Sequence, residues 1–279
     1  MAEARIVAQI SFGLGNQLLQ FGAAYAIARR LGVPLDLDLS WFGATHGDKT
    51  TARAEELTAL VPDHLYRNLC RQGRWTTVTD GLRKGLTGRE TRFGLPVWDA
   101  YWSRTEDAAT LAAPLYIKDI SFDTRLMAPA LPDILPAVRA RLAARYRAPE
   151  GRYAFLHVRR GDYLSKKFAR KFRLLGPDWY GAAMSAYEEA NGKARWILCS
   201  DDPPAALETM PEGFSIETSP ATSTLEDLAL MAGASGGVTA NSTFSLWGGL
   251  LSGGAVVAPG EWRVDGRASP VLPEHWTLL

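Results

Sequence analysis

The sequence predicts an α/β fold of two Rossmann-like domains with parallel sheets facing a central cleft. Three observations carry that prediction. Short apolar strands alternate with helices of roughly 8–15 residues, β-α-β units occur in both halves, and Ala148-Pro149-Glu150-Gly151 reads as a linker. We therefore expect an N-terminal domain over residues 1–150 and a C-terminal domain over 151–279.

In the first half, Arg5 to Ile10 is a short, apolar, buried strand, followed by a turn at Ser11-Phe12-Gly13-Leu14-Gly15-Asn16. Gln17 to Leu31 contains only helix-compatible residues and stops at Gly32. Val33 to Leu39 alternates like a half-exposed strand and completes a β-α-β unit with a glycine turn at its crossover. Residues 40–115 show no sustained period and mix Trp41, Trp75, Trp98 and Trp102 with glycines and basic residues, which predicts short helices and loops. Residues 131–147 read as a helix.

The second half is more regular. Strands are expected at Tyr153–Val158, Arg195–Ser200, Gly213–Thr218, Gly237–Ala240 and Ala255–Ala258. Pro177 opens a helix that stops at Gly192, and Pro203 opens another. Ser223 and Glu226 fit a capping box for a helix to Ala234, and a last helix spans Ser242–Leu251.

Composition narrows the function. With 279 residues, 47% hydrophobic content and a formal charge of +1, the chain folds a sizeable core and is no general nucleic-acid binder. Cys70 and Cys199 form neither a disulfide framework nor a zinc-type spacing. No run of 18 apolar residues and no signal peptide are found, so the expectation is a soluble, cytoplasmic protein. Two basic clusters, Arg67 to Arg92 and Lys166 to Arg173, are either solvated surface or a face for an anionic or membrane-linked substrate.

Five stretches could carry chemistry, and all but Asp227 fall where strands end. Gly13 and Gly15, with Asn16 and Gln17, let backbone approach an anion at a helix N-terminus; the alternative is a plain tight turn. A dinucleotide fingerprint would need glycine where Leu18 stands, although Asp36 or Asp38 could mimic its ribose acid, so a nicotinamide-dependent dehydrogenase stays open. His157, Arg159 and Arg160 leave a strand together, and arginine grips phosphate oxygens bidentately; Asp162 could brace Arg160. Asp201 and Asp202 could accept from ribose or guanine, or cap the helix at Pro203. Asp227 begins a helix, and Asn241, Ser242, Thr243, Phe244 and Ser245 form either a second phosphate cradle or an ordinary N-cap. No metal site is expected: Asp36-Leu37-Asp38 lies within a strand, and His46, His64 and His275 lack ligand spacing.

Three of these stretches in order, Gly13-Leu14-Gly15-Asn16-Gln17, His157-Val158-Arg159-Arg160-Gly161-Asp162-Tyr163 and Ala240-Asn241-Ser242-Thr243-Phe244-Ser245-Leu246-Trp247-Gly248, resemble the α-1,2-fucosyltransferase family of bacterial and animal glycan synthesis. Leu37 to Phe42, Glu226 to Met231 and Val257 to Trp262 support the resemblance, which spans residues 13–262. Phe12 stands where the family usually has a further glycine, and Leu246 replaces a common tryptophan. The resemblance implies a GT-B-like fold, GDP-β-L-fucose as donor, inversion at the anomeric carbon and no required metal. It also implies Arg159 as phosphate partner, Arg160 as loop brace, and His157, Asp227 and Ser242–Ser245 around the nucleotide. Gly13–Gln17 would close over it, with Asp162 or His157 as base. The expected acceptor is an oligosaccharide ending in galactose. The basic clusters would bring the enzyme to lipid-linked glycans at the inner membrane face. Other GDP-fucose transfers (α-1,6 or protein O-linked) and a non-catalytic glycan-binding module are the remaining alternatives.

Overall fold

A computed structural model describes residues 4–43, 53–70, 90–93, 95–101, 103–161 and 166–279, the side chains of 167 and 168 excepted. The chain divides into two compact units, Met1–Val138 and Arg139–Leu279, each built on its own six-stranded sheet. The division falls inside the helix Leu131–Arg145, upstream of the 148–151 segment. The side chains of that helix explain why. Asp133 accepts from the hydroxyl of Tyr25 in the first unit, whereas Arg139 Nε donates to the Leu251 carbonyl at 2.6 Å in the second.

The first sheet contains β1 (Ile6–Gln9), β2 (Leu35–Asp38), β3 (Asn68–Cys70), β4 (Thr91–Arg92), β5 (Leu95–Asp99) and β6 (Leu115–Lys118), in the order β3-β2-β1-β6-β5-β4. All pairs are parallel except β4 with β5. The helix Leu14–Leu31 crosses from β1 to β2 and ends at Gly32 in the left-handed region, φ 65°.

Two expectations need correction here. Strands β3 to β5 lie in the stretch expected to hold short helices and loops, and β6 starts at its last residue, Leu115. They are only two to five residues long, and apart from the local β4–β5 pair their partners lie well along the chain, as in Ile6 beside Leu115. Strand β2 is buried along its whole length rather than half-exposed. Its two acids tolerate burial because each is satisfied. Arg67 forks onto Asp36 at 2.9 and 3.0 Å, and Asp38 accepts from the Tyr116 hydroxyl at 2.7 Å and the Ser40 amide at 2.9 Å.

The second sheet is wholly parallel: β7 (Ala154–Val158), β8 (Arg195–Ser200), β9 (Ser215–Thr218), β10 (Gly236–Val238), β11 (Ala255–Ala258) and β12 (Thr277–Leu278), ordered β12-β11-β10-β7-β8-β9. All five β7 residues are buried, as a strand covered on both faces requires. Leu156 and Val158 pack with Tyr180, Tyr187 and Trp196. Helices Pro177–Asn191, Pro203–Glu208, Thr224–Gly233 and Thr243–Ser252 join the strands. The last two have the N-caps the sequence marked: Ser223 Oγ accepts from the Glu226 amide, and Ser242 Oγ from the Phe244 amide.

β10 approaches β7 so closely that a Cβ on Gly237 would lie 2.1 Å from the Phe155 carbonyl oxygen. From β7 the chain runs outward to β8 and β9; from β10 it runs the other way to β11 and β12. The β7–β10 boundary is therefore the topological switch point, and the carboxyl ends there are where a parallel sheet takes its ligand. By the same rule the switch point of the first sheet lies between β1 and β6.

Candidate active site

At the second switch point, register decides which side chains meet. Val158 of β7 stands beside Ser200 of β8, so the following positions, Arg159 and Asp201, are also neighbours. Arg159 Nη1 lies 2.9 Å from Asp201 Oδ2. The other oxygen of Asp201 accepts the Arg160 amide, also at 2.9 Å. Asp202 instead caps the Pro203–Glu208 helix by accepting from the Ala205 amide. The two adjacent acids, left open by the sequence, thus divide their tasks.

Arg160 donates from Nη1 to Thr209 Oγ1 at 3.3 Å, and its buried Nε meets no hydrogen-bond partner. The buried Tyr180 hydroxyl bonds the Arg159 backbone. Arg159, Arg160 and Arg173 line a cavity of about 50 Å³ together with Tyr180, Thr209 and Asn241. Arginines crowd this small recess, which favours an anion, although Arg159 is paired with Asp201 and Arg173 with Glu261. Tyr180 and Thr209 were not singled out from sequence, because a tyrosine early in an amphipathic helix and a threonine after a short one carry no distinguishing local signal.

His157 is 4% exposed, with its ring 5.7 Å from that of Phe244. Nδ1 is buried and has no hydrogen-bond partner. Burial, reinforced by the Arg159 charge, lowers its pKa to about 3. The imidazole is neutral at every ordinary pH. Asp162 lies outside the described residues.

Beyond β10, Asn241 is buried and donates from Nδ2 to the carbonyls of Arg173 (2.7 Å) and Trp262 (3.3 Å). Ser245 bonds back to the Ala240 and Ser242 carbonyls. Thr243 and Phe244 are half-buried in the first helical turn. Asp227 accepts from Ser219 Oγ at 2.7 Å and bonds the buried Cys199 thiol; burial raises its pKa.

The first unit carries the remaining expected residues. Its helix already begins at Leu14, with Gly13 as N-cap, so Gly15 and Asn16, expected in the turn, join Gln17 in the first helical turn. Gln17 is fully buried and makes four bonds. It donates to the carbonyls of Phe12 (2.8 Å) and Ala54 (2.9 Å) and accepts from the amides of Glu56 and Leu57, both at 3.0 Å. One side chain thereby ties the turn to residues 54–57. Phe12 adopts φ 65°, a left-handed conformation that a bulky residue rarely takes, and its ring lies 5.2 Å from Trp41. The place where the sequence departs from glycine is one where the backbone favours it.

Among the described residues no group of three or more His, Cys, Asp or Glu side chains is placed to hold a metal ion, and no helix is long and apolar enough to cross a membrane. Residues 148–269, which include the whole arginine recess, match the model of glycosyl transferase family 11. Over that stretch the chain is similar to the glycosyltransferases of family 11. Over 97% of its length it is 25% identical to the O-antigen biosynthesis glycosyltransferase WbnK of Escherichia coli, covering 99% of that protein. It is 24% identical to an α-1,2-colitosyltransferase of Escherichia coli, with 98% of each chain covered. Among solved structures, the fucosyltransferase NodZ from Bradyrhizobium aligns at 14% identity and a TM-score of 0.46, covering 89% of this chain and 92% of NodZ. The E. coli heptosyltransferase WaaC aligns at 12% identity and a TM-score of 0.48, over 99% and 92%.

Proposed function

We propose that this glycosyltransferase moves L-fucose from GDP-β-L-fucose to O2 of a terminal galactose on an oligosaccharide, with inversion and without a metal. The observation that carries the reading is the Arg159–Arg160 pair at the carboxyl end of β7, inside the family-matched stretch and at the switch point. The second unit takes the donor and the first the acceptor.

The chemistry asks for fixed positive charge. As the acceptor oxygen bonds to the anomeric carbon, the bond to the β-phosphate oxygen breaks and its electron pair stays with GDP. Arg159 meets that growing charge, and pre-set cations are worth most there. His157 serves as a neutral hydrogen-bonding group near the donor rather than as base, because an imidazole of pKa about 3 takes up no proton near neutrality. The acceptor's proton then goes to Asp162 or to water. The oligosaccharide is lipid-linked, and basic side chains such as the exposed Lys166 and Arg170 hold the enzyme at the cytoplasmic membrane face.

Calorimetric titration with GDP, ADP and NAD in EDTA tests the donor. GDP binding that disappears in Arg159→Ala is the expected result; NAD binding without GDP binding would overturn it. In turnover with a galactoside acceptor, Arg159→Ala should lose about 100-fold or more in kcat, and Arg159→Lys should recover little, since a point charge does not reproduce the guanidinium fork. A second reading, transfer of colitose, is favoured by the colitosyltransferase relative. Parallel assays with the two GDP-sugars decide between them.

A further inference from the structure

We infer that Asp201 is a positioning residue that presets the Arg159 guanidinium and the Arg160 backbone for the donor's phosphates, rather than a contact to the nucleoside. The inference rests on the donor reading above. Three independent observations support it. Asp201 Oδ2 lies 2.9 Å from Arg159 Nη1, and Oδ1 accepts the Arg160 amide at 2.9 Å, so both carboxylate oxygens are committed to the arginine pair. The third is the space around the carboxylate. A Cβ on Gly161 would sit 2.2 Å from Asp201 Oδ2, so residue 161 must lack a side chain for the carboxylate to lie where it does. The pair lies one position beyond the last β7–β8 register pair, Val158 beside Ser200, so the ends of the two strands bring it together.

Physically, a long arginine side chain loses rotamer freedom when it binds a phosphate. An ion pair with a carboxylate placed just beyond the end of β8 removes part of that loss in advance and aims the fork. Arg159 and Asp201 are both partly exposed, 21% and 27% at the side chain, so the pair is open to an incoming anion while still held. A preset cation stabilises charge that develops during transfer more than charge already present in the ground state.

The discriminating experiment is a double-mutant cycle on the whole chain. Asp201→Asn keeps an oxygen for the Arg160 amide but sets an amide, without charge, against Arg159. It should lower kcat about 10-fold or more while changing the GDP dissociation constant less than 3-fold. In an Arg159→Ala background the same substitution should cost nothing further. Gly161→Ala, which crowds the carboxylate with Asp201 intact, should reproduce the kcat loss. Losses that multiply independently in the cycle, or a fall in GDP affinity matching the fall in kcat, would overturn the inference. A spectroscopic arm is independent of turnover. The Arg159 guanidinium NH groups should show restricted rotation in nitrogen-15 spectra of the wild type and free rotation in Asp201→Asn; equal rotation in both would overturn it. Should the wild type transfer no GDP-sugar, the functional reading falls, and this spectrum still decides whether Asp201 holds Arg159.

Discussion

Acid should destabilise the second unit through one residue, His157. It is held neutral with a pKa of about 3, against about 6.5 in an unfolded chain. Between those two values the unfolded chain binds a proton that the folded chain does not, so stability falls as pH drops below about 6.5 and is fully present above it. Each pH unit inside that window is worth about 1.4 kcal/mol, so lowering the pH to 5 should remove about 2 kcal/mol. Carboxylates whose folded pKa is lowered, such as Asp123 and Glu188, begin to contribute only nearer pH 4. The perturbation is His157→Phe, which keeps a flat ring beside Phe244 and removes both the titration and the unpartnered Nδ1. Urea unfolding at pH 7.5 and pH 5, followed through the fluorescence of the buried Trp196 and Trp247, reads the difference. The wild type should lose about 2 kcal/mol more than the variant. Equal losses in both proteins would refute the claim that His157 is buried neutral. Transfer activity should fall in the variant at every pH, separating its chemical role from its stability cost.

Other outcomes follow from packing. Gly237→Ala drives a methyl group to 2.1 Å from the Phe155 carbonyl oxygen, so the β7–β10 pairing must open; a stability loss of at least ~3 kcal/mol, or failure to recover folded protein, is expected in denaturant titration. Tyr116→Phe removes the 2.7 Å bond to the fully buried Asp38 carboxylate and should cost about 1–3 kcal/mol in the first unit, measured by the same titration; an unchanged midpoint would mean that Asp38 finds another donor.

The second unit was legible in the sequence because each signal there is local. Pro177 and Gly192 bracket a helix, Ser223 and Ser242 cap two more, and the apolar runs 154–158 and 195–200 are too short for anything but buried strands. In the first unit, β6 owes its existence to β1, far back along the chain, and β5 in turn pairs with β6, so no short window of sequence holds that information. The site divides in the same way. His157, Arg159 and Arg160 announce themselves at the end of one strand. That Arg159 meets Asp201 depends on the register between two strands, and register is tertiary. By sequence alone Gln17 is a ligand-facing residue of a glycine turn; the four bonds it makes to the 12 and 54–57 backbone are invisible until residues 54–57 are placed. Phe12 is the reverse case. Its departure from glycine was plain in the sequence, but only the backbone torsion shows what that departure means.

The chain holds just two cysteines, and they fall one to each sheet: Cys70 closes β3, while Cys199 sits in β8 behind Asp227. Cys199 is wholly buried and its thiol is held well above the ordinary range by that burial, so a thiol reagent meets no thiolate until the strand parts from its neighbours. Cys70 is partly exposed and should react first. Nature has thus left one chemical clock in each half of the molecule. Timed alkylation of the unmodified protein would report how often β8 opens, separately from β3, and GDP should slow the Cys199 clock alone if the nucleotide belongs to the second unit.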